Sequence, residues 1–246
     1  MDALVLGWII LSLLSFTSLQ FLSAPYGRHA RPGWGPNIPS ALGWVLMEAP
    51  AVVVPLVFLG MTERRGAATL ALTAMWLLHY INRTFVWPMR MRLRGKTMPL
   101  VIAAMAFGTN VVIDGLNFAW LYVYGPERGV EWLSDGRFWA GSLLFFVGLA
   151  INWQSDGILR NLRAPGETGY KVPYGGAYRW VSCPNYLGEL MEWAGFAIAV
   201  WSLPALAFFV WSVSNLAPRA RAHHRWYTET FPDYPPERRA LLPWIW

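Results

Sequence analysis

Long apolar runs, each close to twenty residues, recur along this chain of 246 residues and constrain its fold more than any other feature. Roughly twenty residues of α-helix are needed to cross about 30 Å of bilayer hydrocarbon. Only 14% of the residues are charged and 55% are hydrophobic, whereas soluble domains carry about 25% charged residues. The sequence therefore predicts an all-α polytopic membrane protein that forms a single domain over residues 1–246, and it argues against a nucleic-acid-binding module.

The apolar runs predict seven transmembrane helices. The first has no basic residue before it, so we interpret it as a retained span and not as a signal peptide. The last apolar block is too long for one span, and Pro204 predicts a break inside it because proline cannot continue a helix without losing a hydrogen bond. The predicted spans cover residues 3–22, 41–60, 67–88, 98–124, 138–155, 184–200 and 203–217.

The basic residues predict the orientation. Under this assignment fifteen of the twenty Lys and Arg residues fall on one side of the membrane and four on the other, while Arg83 lies within a span. Cytoplasmic loops are enriched in Lys and Arg, so the N-terminus is predicted outside and the C-terminus in the cytoplasm. We expect a monomer in the inner membrane of a bacterial cell, or in the endoplasmic reticulum membrane of a eukaryotic one.

A few ionisable side chains lie at span depth, where a charge is costly and usually functional. Glu48 is the one acid of the second predicted span, and Asp114 that of the fourth. His79, Tyr80 and Arg83 lie within about one turn of each other in the third. Burial favours the neutral form of a carboxyl, so Glu48 could donate a proton or simply bond a neighbouring helix. We expect Arg83 to pair with Glu48, Asp114 or a backbone carbonyl, and Asp114 to be structural.

A second polar cluster follows Pro184, which suits the start of a helix. Asn185, Glu189 and Glu192 are spaced at i, i+4 and i+7, which places them on one helix face. We interpret this face as part of a binding site, with a purely structural polar contact between helices as the alternative.

A third polar cluster lies in and after the fifth predicted span. Asn152, Asp156 and Arg160 share a helix face, and Arg163 follows Arg160 at i+3. Arginine suits phosphate because its planar fork donates two hydrogen bonds at once. These residues therefore indicate an anionic cofactor, although a basic, aromatic loop of this kind could instead bind anionic lipid headgroups.

The C-terminal segment adds a further stripe, because Arg219, His223 and Tyr227 recur every four residues. Side chains of adjacent helical residues point about 100° apart, so His223 and His224 cannot hold one metal ion together. With one cysteine, Cys183, and no HExxH motif, we expect no metal and no disulfide. A Rossmann glycine motif and a P-loop are also absent from the sequence, so any nucleotide must bind between the helices.

Several blocks in this order resemble the membrane-embedded steroid 5α-reductases (3-oxo-5α-steroid 4-dehydrogenases), from about residue 26 to the C-terminus. The blocks are SDGILR at 155–160, RAPGE at 163–167, NYLGE at 185–189, WSLPALAF at 201–208, HHRWY at 223–227 and DYP at 233–235. The resemblance implies an enzyme that uses NADPH to reduce the C4–C5 double bond of 3-oxo-Δ4-steroids entering from the bilayer.

The resemblance also implies roles for individual residues. Glu48 and Tyr80 match the pair that hydrogen-bonds the 3-oxo group of the substrate, whereas Met47 stands where members commonly have Gln. The positions that match cofactor contacts are Tyr26, Asn152, Asp156, Arg163, Tyr170, Asn185, Glu189, Arg219, His223 and Tyr227. Arg160 joins this candidate set because it shares the helix face of Asn152 and Asp156.

Three alternatives remain at this point. They are another sterol or enone reductase, a membrane methyltransferase that uses S-adenosylmethionine, and a sterol-binding membrane protein without catalysis. The buried acid Glu48 argues against the methyltransferase, which would not need it. A protein without catalysis would leave the polar stripes at residues 152–163 and 219–227 without a function.

Overall fold

The computed structural model describes residues 1–21, 32–91, 95–164, 167 and 169–246. Helix makes up 74% of the described residues and strand 3%, so the predicted all-α class is right except for one small sheet. The α-helices are α1 (Asp2–Phe21), α2 (Ser40–Met61), α3 (Ala67–Ile81), α4 (Trp87–Arg90), α5 (Leu100–Ala119), α6 (Gly136–Asn161), α7 (Pro184–Val200) and α8 (Leu203–Thr230). A π-helical turn, Asn82–Val86, joins α3 to α4, and a second, Trp120–Tyr124, follows α5. Two short 3₁₀ helices span Val130–Ser134 and Gly176–Arg179.

The small sheet pairs β1 (Asn37–Pro39) with β2 (Thr97–Pro99) in antiparallel register, with Ile38 opposite Met98. Each strand ends in a proline, and the next helix begins at the following residue. Strands of three residues are too short for an alternating pattern to be seen, which is why the sequence did not predict them.

Four helical segments in the described part of the chain are long and apolar enough to cross a membrane, as judged by length and composition. They are Asp2–Phe21, Ser40–Met61, Leu100–Tyr124 and Gly136–Asn161. Of the other three predicted spans, α3 has only 15 residues before its π-turn, α7 has 17, and α8 carries several arginines in its second half.

The predicted break in the last apolar block is confirmed. Helix α7 ends at Val200, and Trp201 adopts the left-handed conformation with φ 50° and ψ 57°. The Ser202 side chain then accepts a hydrogen bond from the Ala205 N–H, as a helix N-cap does, and Pro204 occupies the first turn of α8.

Helices α6 and α7 approach each other backbone to backbone through glycines. A Cβ atom on Gly148 would lie 2.5 Å from the carbonyl oxygen of Gly188, and one on Gly188 would lie 2.5 Å from that of Gly148. Gly141 and Gly195 lie seven residues from Gly148 and Gly188, and a Cβ on Gly195 would lie 2.5 Å from the carbonyl oxygen of Gly141. Small residues permit this close approach between membrane helices. We call these four residues the glycine seam.

The indole of Trp76, on α3, lies at the centre of the aromatic core. Its ring contacts Phe118, Trp193, Phe196 and Phe208, which come from α5, α7 and α8. Pro55 has no N–H for the carbonyl of Ala51 one turn earlier, and the Trp76 indole N–H donates to that carbonyl at 2.9 Å. Pro55 thus leaves the Ala51 carbonyl available to accept the hydrogen bond that links α2 to α3.

The arginines predicted for the less basic side of the membrane gather at one end of the molecule. Arg64 donates to the carbonyls of Val123 and Gly125, and Arg128 lies 3.5 Å from the centroid of Trp132. Arg137 lies 5.3 Å from the ring of Trp201 and holds the side chain of Asp135, the N-cap of α6. Hydrogen bonds from Arg137 lower the pKa of Asp135 to about 2.

Candidate active site

Glu48 on α2 and Tyr80 on α3 lie at the same level of the bundle. Two hydrogen bonds set this level: Thr84 donates to the carbonyl oxygen of Glu48 at 3.3 Å, and Trp76 donates to that of Ala51. Tyr80 lies between Trp76 and Thr84 in the chain, so its backbone is level with the turn of α2 between Glu48 and Ala51. The structure therefore places the two residues predicted to contact the substrate carbonyl at one level of two neighbouring helices.

The ring of Tyr80 is held by aromatic neighbours. It stacks on Trp193 of α7 with centroids 5.4 Å apart and planes at 25°. Trp76 and His79, each with its centroid 5.0 Å away, border it within its own helix. Because only 6% of Tyr80 is exposed, these contacts determine the direction in which its hydroxyl points.

Arg83 corrects one expectation. Its guanidinium nitrogens lie 3.8 Å from Asp156 Oδ2 and 4.0 Å from Glu189 Oε2, and among the described residues it forms no ion pair within 4 Å with Glu48 or Asp114. Its Cζ also lies beside two indoles that touch each other, 4.9 Å from the centroid of Trp44 and 4.7 Å from that of Trp87. The expectation assumed a regular α-helix, whereas the π-turn that contains Arg83 adds a residue to the turn and changes the direction of its side chain.

The polar faces predicted on α6 and α7 meet each other. Asn152 Nδ2 donates to the carbonyl of Asn185 at 3.0 Å, and Asn185 Nδ2 donates to Asp156 Oδ1 at 3.4 Å. Glu189 follows Asn185 by one turn and reaches Arg83. The structure thus gathers Asn152, Asp156, Asn185 and Glu189, all predicted cofactor residues, around Arg83.

The stripe on α8 lies beside this cluster. His223 Nε2 is 3.3 Å from the hydroxyl of Tyr186, the neighbour of Asn185 on α7. Arg219 lies one turn before His223, and burial lowers the pKa of Arg219 to about 10, so it remains charged at pH 7. Tyr227 is buried and stacks on Tyr234 with centroids 5.3 Å apart.

The loop after α6 also reaches α8. Arg163 donates to the carbonyl of Gly169 at 2.9 Å, and its Cζ is 6.0 Å from the ring of Tyr170. Tyr170 in turn meets the edge of Trp226, which precedes Tyr227, at 5.0 Å. Arg160 is partly buried on α6, one turn after Asp156. Tyr26, the remaining predicted residue, lies outside the described part of the chain.

Comparison with known proteins identifies the family of this chain. A family model described as 3-oxo-5-alpha-steroid 4-dehydrogenase matches residues 96–246. A steroid 5-alpha-reductase of Gossypium hirsutum is 41% identical over 242 residues, covering 96% of this chain and 94% of the relative. A 3-oxo-5-alpha-steroid 4-dehydrogenase 1 of Bos taurus is 39% identical over 250 residues, covering 100% and 96%. The human protein of the same name is 40% identical over 226 residues, covering 89% and 85%.

The chain belongs to the 3-oxo-5α-steroid 4-dehydrogenase family. The predicted resemblance is therefore confirmed, and the family of oxidoreductases is favoured over a methyltransferase or a sterol-binding protein without catalysis. The family model covers α5 to α8, whereas the relatives also cover α2 and α3, which carry Glu48 and Tyr80.

Within this member of the 3-oxo-5α-steroid 4-dehydrogenase family, one buried pair escaped the sequence analysis. His79 Nδ1 and Glu192 Oε2 are 2.7 Å apart, and both residues are almost fully buried. The signal was present, because two ionisable groups at span depth need partners, but the sequence does not show which helices are neighbours. Asp114 is fully buried on α5, and its carboxylate oxygens have no hydrogen-bond partner among the described residues.

The described residues contain no cluster of three or more His, Cys, Asp or Glu side chains that could hold a metal ion. The polar groups at the site are instead arginines, amides, carboxylates and hydroxyls. This set suits hydrogen bonding to a cofactor that carries phosphates and ribose hydroxyls.

Proposed function

We propose that this chain catalyses the NADPH-dependent reduction of the C4–C5 double bond of 3-oxo-Δ4-steroids to 5α-reduced 3-oxo-steroids. One observation supports this function above the others: Glu48 and Tyr80 share a level in the apolar interior, next to the polar cluster between α6 and α7. A substrate carbonyl and a reducing cofactor could meet at that boundary.

The proposed substrate contacts follow from the charge changes in the reaction. Addition of a hydride at C5 moves negative charge onto the 3-oxo oxygen, and a proton then adds at C4. The hydroxyl of Tyr80 and the protonated carboxyl of Glu48 would donate hydrogen bonds to that oxygen. Such donors stabilise the transition state more than the ground state, because the charge on the oxygen grows between them. The apolar walls around Tyr80 exclude water and strengthen both bonds.

The chemistry of the polar cluster fits NADPH. Arg163 and Arg219 would bind phosphates, while the amides of Asn152 and Asn185 would position polar groups of the cofactor. The other residues proposed to contact it are Tyr26, Asp156, Arg160, Tyr170, Glu189, His223 and Tyr227. When bound, NADPH supplies the hydride.

The proposed membrane arrangement has seven spans in one domain over residues 1–246, with the N-terminus outside and the C-terminus in the cytoplasm. It is supported by the gathering of Arg64, Arg128 and Arg137 at one end of the molecule, away from the more basic segments. In this arrangement the cofactor site faces the cytoplasm, and the steroid enters a monomer from the lipid.

The test measures NADPH consumption by the detergent-solubilised protein with testosterone, progesterone and a non-steroid enone. We expect Glu48→Gln and Tyr80→Phe each to lower kcat for a 3-oxo-Δ4-steroid by more than about tenfold, the scale of a lost hydrogen bond to developing charge. The dissociation constant for NADPH should be unchanged. Glu127→Gln, which alters an exposed acid far from the cluster, is the control.

Two results would contradict the proposal. Full activity in both variants would remove Glu48 and Tyr80 from the donor role. A wild-type protein that reduces none of the 3-oxo-Δ4-steroids tested would overturn the function itself.

A further inference from the structure

The buried pair His79–Glu192 has no role in the proposed reaction so far. His79 Nδ1 and Glu192 Oε2 form a hydrogen bond of 2.7 Å, and 3% of His79 and 0% of Glu192 is exposed. Removing two such groups from water is costly, and replacing a buried ion pair by well-packed apolar residues often leaves a protein as stable or makes it more stable. Stability alone therefore does not explain why these two ionisable residues are buried together.

The pair lies beside Tyr80 in a specific way. His79 and Tyr80 are consecutive on α3, and their contacts on α7, Glu192 and Trp193, are also consecutive: Glu192 binds His79 and Trp193 stacks on Tyr80. Consecutive side chains point about 100° apart on a helix. Two contacts in these different directions fix the rotation of α3 about its axis as well as its height against α7.

The same contacts connect Tyr80 to the polar cluster. One turn after His79, Arg83 meets Glu189, which lies nearly one turn before Glu192. The His79–Glu192 and Arg83–Glu189 pairs are thus successive polar contacts between α7 and the segment formed by α3 and its π-turn. Glu192 lies on the helix that carries Asn185 and Glu189, and His79 on the helix that carries Tyr80.

We infer that His79 and Glu192 are positioning residues that set the distance between the Tyr80 hydroxyl and the cofactor side of the site. The inference rests on the proposed function. Neither residue contacts the reacting atoms; the pair instead holds the helix of the substrate donor against the helix of the cofactor residues. Misplacement by about 1 Å can cost as much as a hundredfold in rate, so loss of the pair should act on turnover.

The decisive variant is the double substitution His79→Phe with Glu192→Leu. Phenylalanine keeps a ring against Tyr80 and Trp193, and replacing both partners by apolar groups leaves no unpaired buried charge. We expect the melting temperature to stay close to that of the wild type. We expect kcat to fall by about tenfold or more, with the KM values for steroid and NADPH within about twofold.

Two conservative variants separate position from charge. The amide nitrogen of His79→Asn can take the place of imidazole Nδ1 and donate to Glu192, and the amide oxygen of Glu192→Gln can still accept from His79. Both should retain kcat within about threefold of the wild type, because the hydrogen bond that positions α3 survives. Thr73→Val is the matched control: it removes a buried 2.7 Å hydrogen bond from α3 to Tyr122, about two turns from Tyr80, and should leave kcat unchanged.

Each outcome is informative. A double variant with wild-type kcat, or a loss of kcat matched by an equal rise in KM, would overturn the positioning role. A large loss of kcat in Glu192→Gln would overturn it as well, since the charge and not the position would then matter. If the wild-type protein reduces no 3-oxo-Δ4-steroid, the proposed function fails and the inference fails with it.

Discussion

At the scale of single residues, the surroundings of Arg83 suit a guanidinium group. Its guanidinium lies against the indoles of Trp44 and Trp87, which touch each other edge to face, while its N–H groups face the carboxylates of Asp156 and Glu189. An ammonium group is more compact and more strongly hydrated, and it cannot lie flat against an aromatic ring while it presents a fork to two acids. Lysine would therefore be a poor replacement here.

The arginines proposed to bind phosphate can be tested one at a time. We expect Arg163→Ala and Arg219→Ala each to raise the dissociation constant for NADPH by about tenfold or more, because each removes a charge-assisted hydrogen bond. Steroid affinity should change by less than about twofold. Titration of tryptophan fluorescence measures both constants. Arg221→Ala, which removes an exposed arginine that bonds Gln20 on α1, is the control, and an equal effect in all three variants would contradict the assignment.

Because His224 is half-buried, we expect the stability of the folded protein to depend on pH. Burial, and then the charge of Arg239, lower the pKa of His224 below its ordinary value of 6.5 in the folded chain. The unfolded chain therefore binds a proton at His224 at a higher pH than the folded chain does. Neutral His224 makes its full contribution to the stability of the fold above pH 6.5, and this contribution is lost as the pH falls through the pKa of the folded state. We expect the melting temperature to fall between about pH 7 and pH 5.

The same melting measurements on His224→Gln provide the comparison. Glutamine does not titrate, so the fall in melting temperature over that pH range should become shallower. An unchanged slope would assign the pH dependence to other groups.

At the scale of elements, the glycine seam predicts which substitutions the helix pair α6 and α7 tolerates. Gly148→Ala and Gly188→Ala each place a Cβ against a carbonyl oxygen of the facing helix, so we expect each to cost about 1–3 kcal/mol of unfolding free energy. Gly108→Ala on α5 meets no atom within 4 Å and should be neutral or slightly stabilising, because alanine favours helix. Thermal unfolding in detergent measures the difference, and equal effects at Gly108 and Gly148 would contradict the close approach.

The elements also show how far a sequence alone can lead. The break at Trp201 and the shared faces of Asn152 with Asp156, and of Asn185 with Glu189, were predictable because proline chemistry and helical spacing act locally. The partners of Arg83 and His79 were not, because they depend on which helices are neighbours and on a π-turn that helical spacing does not reveal. The β1–β2 pairing was missed for a related reason, since its two strands are far apart in sequence and very short.

At the scale of the whole molecule, the proposed topology can be tested because the chain has one cysteine. Cys183→Ala gives a background without cysteine, into which Glu127→Cys or Glu229→Cys, both at exposed positions, is introduced. With a membrane-impermeant maleimide on intact cells, we expect modification at 127 only, and at 229 only after permeabilisation. The reverse pattern would mean that the topology is inverted. The proposed topology has an odd number of membrane crossings between the two positions, and modification of both in intact cells would contradict it.

The glycine seam has a practical meaning for anyone who wishes to redesign this protein. Because the backbones of α6 and α7 are in direct contact, these two helices form a rigid wall. This wall carries Asn152, Asp156, Asn185 and Glu189. A mutant library aimed at new substrates would therefore leave this wall unchanged. It would vary positions of α5, and positions of α2 other than Glu48, on the other side of Tyr80.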